Sequence, residues 1–405
     1  MERPLDGIRV IGMEQYMAAP YCTMLLGDQG AEVIKIERTG RGDARRSIPP
    51  FVERGGVRKA GGFMSYNRNK KSVAVDLSHP KGQEIYRALA ATADVVAENS
   101  RPGAMDKLGL GWPQLRDVNP RLVYAAISGF GRMPGREGPY GRRPAFDIVA
   151  EAMSGIMNAV GFADKPPSWT IYGMADIYSG MVTAWGIMLA LFVRERTGRG
   201  QLVDSALFDN MLALNERMVT LYSVAGQPTN RGELRVMYPR GAFLCSDGYV
   251  ALNAPDDTTW KRLCAAMGRE DLVDDERSRD GPSRAANAAF LDPIIEGWLG
   301  GLTRTEATDR LNAAGVPTGP VYTAEDVFAD PQVAARGMLM PVTDPQLGAH
   351  RFARTVPLMS EAPDLPAEPA PDLGQHTEAV LHDLLGYDGA AIRALAEEKV
   401  IQLAK

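Results

Sequence analysis

Five short β-rich runs alternate with helical segments over the first 128 residues, and this alternation restricts the fold more than any other feature of the chain. Gly7-Ile-Arg-Val-Ile-Gly12 comes first. A helix is expected over residues 19–28, ending at Gly30, and Glu32-Val-Ile-Lys-Ile-Glu37 reads as the next strand. Strand segments at 72–77, 94–98 and 122–128 follow, separated by helical stretches at 80–92, 103–108 and 112–118. Repetition of strand, helix, strand predicts a mostly parallel sheet with helices on both faces.

After Asp147 the pattern changes. Helices are expected over 148–160, 176–195 and 203–221, and residues 225–240 read as a polar linker or active-site loop. A hairpin over 241–252, turning at Asp247-Gly248, precedes helices at 258–267, 287–298 and 304–314. Loops, a Pro-rich span at 357–371 and helices at 378–385 and 390–402 end the chain. A chain of 405 residues exceeds one ordinary core. The expected division is a large domain over 1–224, a small domain over 225–325 and a return to the large domain over 326–405.

With 45% hydrophobic and 23% charged residues the composition is that of a soluble globular protein. The net charge of −5 argues against a general nucleic-acid binder. Cys22, Cys245 and Cys264 are too scattered for a disulfide framework or a zinc site, and no metal-ligating, serine-hydrolase or P-loop pattern occurs. The N-terminus lacks a signal-peptide core, and the apolar run 181–193 is too short to cross a bilayer. That run reads as a buried core helix, and the expected location is the cytoplasm, with no membrane partner.

Asp176 stands where a loop gives way to a helix. There a carboxylate would face unpaired N–H groups and the positive end of the helix dipole, both of which favour its ionised form. It reads as a helix cap or as a nucleophile, and local sequence favours the cap. Eleven basic residues between Lys35 and Lys71, Arg45 among them, face only Glu37, Asp43 and Glu53. Such an excess suits either an anionic ligand or a solvated face. Ser128-Gly-Phe-Gly-Arg-Met-Pro-Gly135 imitates a dinucleotide fingerprint poorly, since Pro134 and Pro139 block a helix start, and it reads as a flexible loop over a site.

Taken together, these segments resemble the class III CoA-transferase family, the carnitine/bile-acid-inducible type. The similarity runs from Leu5-Asp-Gly-Ile-Arg-Val10 through Gly30-Ala-Glu-Val-Ile-Lys-Ile-Glu-Arg38, Asn67-Arg-Asn-Lys-Lys-Ser72 and Glu98-Asn-Ser-Arg-Pro-Gly103. It continues through Asn119-Pro-Arg-Leu-Val-Tyr124, Asp176, Arg196-Thr-Gly-Arg-Gly-Gln201, Gly315-Val-Pro-Thr-Gly-Pro-Val321 and Gly374-Gln-His-Thr377. The resemblance implies an α/β fold. A Rossmann-like large domain would be built from both chain ends, with a small α+β middle domain, in an interlocked homodimer. It implies Asp176 as the nucleophile that forms an anhydride with the acyl group and then an aspartyl-CoA thioester. Gln15, Tyr16, Arg38, Asn69, Lys70, Asn99, Lys107 and Leu108 would line the CoA site, with the Lys70/Lys71 pair and Arg38 suited to CoA phosphates. No metal or tightly bound cofactor is implied. Acyl-CoA and a small carboxylic acid are the substrates.

The related α-methylacyl-CoA racemases carry a His immediately before the Asp that matches Asp147. Here that position is Phe146, which cannot transfer a proton, and His79 is the least implausible substitute. A non-catalytic CoA-binding protein is the other alternative. The run of glycines found in formyl-CoA:oxalate enzymes is missing from residues 225–241, which puts oxalate in doubt. Arg231, Arg235 or Arg240 in that loop could pair with a dicarboxylic substrate, although plain surface charge is the commoner case.

Overall fold

The computed structural model describes residues 3–232, 237–363 and 367–404. Its main sheet contains β1 (Arg9–Met13), β2 (Glu32–Glu37), β3 (Lys70–Val75), β4 (Val95–Glu98), β5 (Val123–Ser128), β6 (Leu202–Ala206) and β7 (Ile401–Gln402). Their spatial order is β7-β3-β2-β1-β4-β5-β6. All neighbouring pairs are parallel except β7, which runs antiparallel beside β3 at one edge. The sheet therefore reverses its winding between β1 and β4. In parallel sheets the crevice beyond the carboxyl ends at such a reversal is where ligands bind.

The strands lack a polar face because both faces are covered. Val10, Val33, Val95 and Val123 pack on one side. Their successors Ile11, Ile34, Val96 and Tyr124 pack on the other, as the two-residue pleat requires. Helices α1 (Ala18–Asp28) and α4 (Met174–Thr197) cover the first side. Helix α2 (Pro80–Ala91) and the C-terminal helices Thr377–Leu385 and Gly389–Glu397 cover the second. Helices α1 and α4 touch closely at Gly180, where a Cβ would stand 2.6 Å from the Ala18 carbonyl oxygen. Any larger residue there would force the two helices apart.

The chain divides into two compact units. The first comprises residues 1–158, 168–228 and 337–405, and the second 159–167 and 229–336. The second unit contains the hairpin Arg240–Cys245 and Gly248–Asn253, extended by Thr318–Pro320, and a core of its own around Trp260, Leu263, Leu291 and Ile295.

Four expectations need correction. The helix expected over 390–402 ends at Glu397, and Ile401–Gln402 is strand β7. Residues 203–221 are not one helix: β6 passes directly into helix Leu207–Leu214, and a second helix, Glu216–Ala225, follows. The stretch 148–160 breaks at Gly155, where φ is 83°, separating α3 (Asp147–Met153) from Ile156–Ala159. The apolar run 181–193 belongs to a 24-residue helix that is long and apolar enough to cross a membrane, contrary to the reading of its length. Its packing is that of a core helix on one face only. Ala175, Ser179, Thr183, Ile187, Ala190 and Leu191 are buried, and Arg194 pairs with Asp94 at 2.9 Å. Met181, Trp185, Met188, Leu189 and Phe192 are exposed. Two further hairpins, Phe51–Arg54/Val57–Ala60 and Leu339–Asp344/Gly348–Ala353, are not among the expected elements.

Candidate functional site

At the reversal between β1 and β4 lies a cavity of about 650 Å³. Its walls come from the segments that leave the carboxyl ends of the parallel strands: Gln15 and Tyr16 after β1, Asn99 to Pro102 after β4, and Ser128 and Gly129 at the end of β5. Arg142, Arg143 and Phe146 close another side, and Asp176 opens onto the same space. This volume suits a small-molecule ligand.

A buried ionic network sets the shape of the β1 wall. The Glu14 carboxylate accepts hydrogen bonds from Lys70 Nζ (2.7 Å), Lys35 Nζ (3.4 Å) and Thr23 Oγ1 (2.6 Å), all fully buried. Burial alone would raise the Glu14 pKa, but Lys70 and Lys35 outweigh it and hold the carboxyl below its ordinary value. Lys35 Nζ also donates to Asp43 at 2.8 Å, and Asp43 in turn accepts from the backbone N–H groups of Tyr16 (3.1 Å) and Arg45 (2.9 Å). Tyr16, at a strained φ of 63°, is thus fixed from behind. From the β4 side the Asn99 amide grips the Gln15 backbone both ways, at 2.9 and 2.8 Å, so the two strand ends are tied together.

Asp176 sits in the first turn of α4, which starts after Gly173 in a left-handed conformation. It does not cap the helix. Asp147 does: its Oδ1 accepts from the N–H groups of Ala175 (2.6 Å) and Asp176 (3.2 Å), and its Oδ2 accepts from Trp169 Nε1 (3.0 Å). Glu151, one turn further along α3, holds Thr170 through its N–H and hydroxyl at 2.9–3.1 Å. The reason is positional. Gly173, which precedes the helix, has no side chain to fold back onto the free N–H groups, so Asp147 reaches them from α3, whereas Asp176 at the third helical position projects away from them. Among the described residues, nothing donates a hydrogen bond to the Asp176 carboxylate.

The expectation that helix position would favour ionised Asp176 is therefore reversed. Burial, followed by the neighbouring Asp147 charge, pushes its pKa up to about 7, against a smaller opposing pull from Arg45. Near neutrality Asp176 is poised between its two forms. Its ionised form is poorly solvated, which is the condition a carboxylate needs to attack a carbonyl carbon.

Residues 5–377 match CoA-transferase family III. The chain belongs to CoA-transferase family III. It is 39% identical to a succinyl-CoA:mesaconate CoA-transferase of Haloarcula hispanica, over 94% of this chain and 96% of that one. It is 33% identical to a succinyl-CoA:glutarate CoA-transferase of Mus musculus, over 99% and 91% respectively. The crystal structure of a CAIB/BAIF family protein from Brucella suis superposes with a TM-score of 0.85 at 35% identity, covering 95% of this chain and 100% of the other. The protein is thus an enzyme, a CoA-transferase that moves CoA from an acyl-CoA to a carboxylic acid through an active-site aspartate.

For a CoA-transferase, the residues expected at the CoA site are not all in one place. Gln15, Tyr16 and Asn99 line the cavity with Asp176. Arg38 is exposed just past the carboxyl end of β2, on the same edge of the sheet. Lys107 is exposed and Leu108 half-buried, at the end of the short helix Ala104–Lys107 that follows β4. Asn69 and Lys70 are elsewhere. Asn69 lies at the amino end of β3, donates to Asp28 at 2.7 Å and lines a separate cavity of about 400 Å³ with Asp28, Arg354 and Thr355. The Lys70 ammonium is enclosed by Glu14, the Pro20 carbonyl and Asn67, so it braces the site from inside and reaches no phosphate. Lys71 pairs with Glu32 at 2.6 Å.

The cavity also uses residues that the sequence alone does not single out as ligands: Arg101, Arg142 and Arg143. A signal exists, since all three follow strand ends in loops rich in Gly and Pro. The loop from Ser128 to Gly135 is anchored, with Arg132 and Met133 donating backbone N–H groups to Asp204 on β6 at 2.8 and 2.7 Å. Phe146 is exposed and packs edge-on against Tyr16, providing wall and no proton. His79 caps α2 through its Nδ1, accepting from the Lys81 N–H. Arg231 and Arg240 belong to the second compact unit, and Arg235 lies outside the described residues.

Proposed function

We propose that Asp176 is the nucleophile of this CoA-transferase, acting on a dicarboxylic acyl-CoA such as succinyl-CoA and passing CoA to a short dicarboxylic acid. The observation that carries this reading is a carboxylate with no hydrogen-bond donor among the described residues, raised in pKa by burial, opening onto the cavity at the sheet reversal. The substrate class follows the similarity to enzymes named for succinyl-CoA with mesaconate, D-citramalate or glutarate.

In this mechanism an Asp176 oxygen attacks the thioester carbonyl, and CoA leaves as thiolate, giving an acyl-aspartyl anhydride. The thiolate attacks the aspartyl carbonyl, releasing the donor acid and leaving an aspartyl-CoA thioester. The acceptor carboxylate attacks that thioester and frees the thiolate again. The thiolate then takes the acceptor acyl group and restores Asp176. Gln15, Tyr16 and Asn99 bound the space for the thioester end of CoA. Arg38, Lys107 and the cavity arginines Arg101, Arg142 and Arg143 supply positive charge for its phosphates. Leu108 contributes apolar surface beside Lys107.

Hydroxylamine added during turnover of succinyl-CoA should trap Asp176 as a hydroxamate, located by peptide mass mapping. CoA binding with no modified peptide would favour a non-catalytic CoA-binding protein instead.

The same reading takes the protein as a cytoplasmic homodimer. Met181, Trp185, Met188, Leu189 and Phe192 form one exposed apolar face of α4, and helix Glu216–Ala225 buries none of its residues. Surfaces of this kind mark protein–protein contacts. Light scattering should give twice the chain mass, and a monomer would remove this part of the proposal.

A further inference from the structure

Six cationic side chains are buried among the described residues, and five have a carboxylate partner. Lys35 pairs with Asp43, Arg68 with Asp28, Lys70 with Glu14, Arg194 with Asp94 and Arg284 with Asp257, all at 2.6–2.9 Å. Arg45 is the sixth. It is 6% exposed and forms no ion pair among the described residues. Its Nη1 donates to the Tyr172 hydroxyl at 3.1 Å, its Cζ stands 5.6 Å from the centre of the Tyr172 ring, and its buried Nε has no acceptor among the described residues. Leaving a cation buried and unpaired is costly, so an exception needs an explanation.

The surroundings are built to keep this guanidinium in place. The Arg45 backbone N–H is held by Asp43, whose other oxygen is fixed by Lys35. A Cβ on Gly62 would lie 2.5 Å from the guanidinium nitrogens, so a residue without a side chain leaves the required room. Tyr172, which Arg45 bonds, stands four residues before Asp176 in the chain, and the Arg45 charge pulls down on the pKa of both Asp176 and Tyr66.

We infer that Arg45 receives the remote carboxylate of the dicarboxylic acyl group while its other end reacts at Asp176. The inference rests on the proposed role of Asp176 and its substrate class. Charge accounting supports it. Once acylated, Asp176 is neutral, and Arg45 then lacks even that through-space counterion. A substrate carrying its own second carboxylate replaces the lost charge, and a planar guanidinium offers it a two-pronged hydrogen-bonding surface. A monocarboxylic acyl chain brings no such charge and would leave Arg45 unpaired, which is how a buried polar group rejects an analogue.

The test measures isotope exchange between an acyl-CoA and its own free acid, with succinyl-CoA/succinate and butyryl-CoA/butyrate, in wild type, Arg45→Met and Arg45→Lys. Arg45→Met should lower kcat/KM for succinyl exchange by about 100-fold or more, while butyryl exchange falls far less, only as much as loss of the Arg45 charge raises the Asp176 pKa. Arg45→Lys, which keeps the charge and loses the fork, should show a smaller loss confined to succinyl exchange and serves where the Met variant does not fold. Equal losses with both acyl groups would overturn the inference, assigning Arg45 to tuning Asp176 itself. No loss with either would overturn it as well. Hydroxylamine trapping of wild type separates the two proposals. No Asp176 adduct from any acyl-CoA defeats the nucleophile, whereas an adduct formed equally well by wild type and Arg45→Met from succinyl-CoA defeats only Arg45.

Discussion

Asp176→Asn should reduce turnover by about 10⁴-fold or more, the scale seen when a covalent nucleophile is removed, while CoA affinity stays nearly unchanged. The groups placed around CoA are held by other residues: Gln15 by Asn99, and Tyr16 by Asp43. The start of α4 survives too, because its cap is Asp147. The substitution should also stabilise the fold in a pH-dependent way. The folded-state pKa of about 7 lies above the ordinary value of 3.8, so the folded protein holds a proton that the unfolded chain gives up. Ionising Asp176 in the folded state therefore costs stability, increasingly as pH rises from about 4 to 7. At pH 8 the Asn variant should gain up to about 4 kcal/mol, less whatever solvent at the cavity mouth screens, and at pH 4 the gain should vanish. Thermal melts at the two pH values check this, and a large loss of CoA affinity would show that Asp176 has a binding role instead.

The pH dependence of turnover is the second large effect. The attacking species is the carboxylate, so kcat/KM should climb about tenfold per pH unit below the Asp176 pKa and level off above it. The inflection belongs near 7, where burial and Asp147 place it. Removing one cause should move it predictably. Asp147→Asn keeps an oxygen for the α4 N–H groups but deletes the neighbouring charge, so the inflection should shift to lower pH. An inflection near 4 in wild type would mean a solvated Asp176, and an inflection unmoved in Asp147→Asn would mean the two carboxyls do not interact.

The parts of the fold legible in the sequence are those with punctuation. The strand Glu32–Glu37 follows Gly30 and is β-rich, and Trp112–Val118 is bounded by Gly111 and Asn119; both are found where expected. Residues 203–206 read as helix in the sequence because they run into Leu207–Leu214 with no turn residue between them, and an edge strand five residues long has little pattern of its own. The hairpin at 51–60 does carry a turn signal, Gly55-Gly56, but its strands are rich in Arg, Lys and Glu and read as a charged surface.

At the site, the sequence leads to Asp176, Gln15, Tyr16 and Asn99, which share one cavity. It does not separate Lys70 from Arg38. One lies among buried carboxylate, carbonyl and amide groups and the other in solvent, and that difference arises from the path of the chain, not from residue type. Arg45 is hidden for the same reason. Within a run of basic residues nothing distinguishes the one that, among the described residues, is buried without a carboxylate partner.

Oxygen tracing tests covalent catalysis by Asp176 most directly. With an acceptor acid carrying ¹⁸O in its carboxylate, a single turnover should leave one ¹⁸O in the peptide containing Asp176, and later turnovers should deliver that atom to the released donor acid. Label passing from acceptor to donor with none in Asp176 would mean direct attack of acceptor on thioester, and Asp176 would not be the nucleophile.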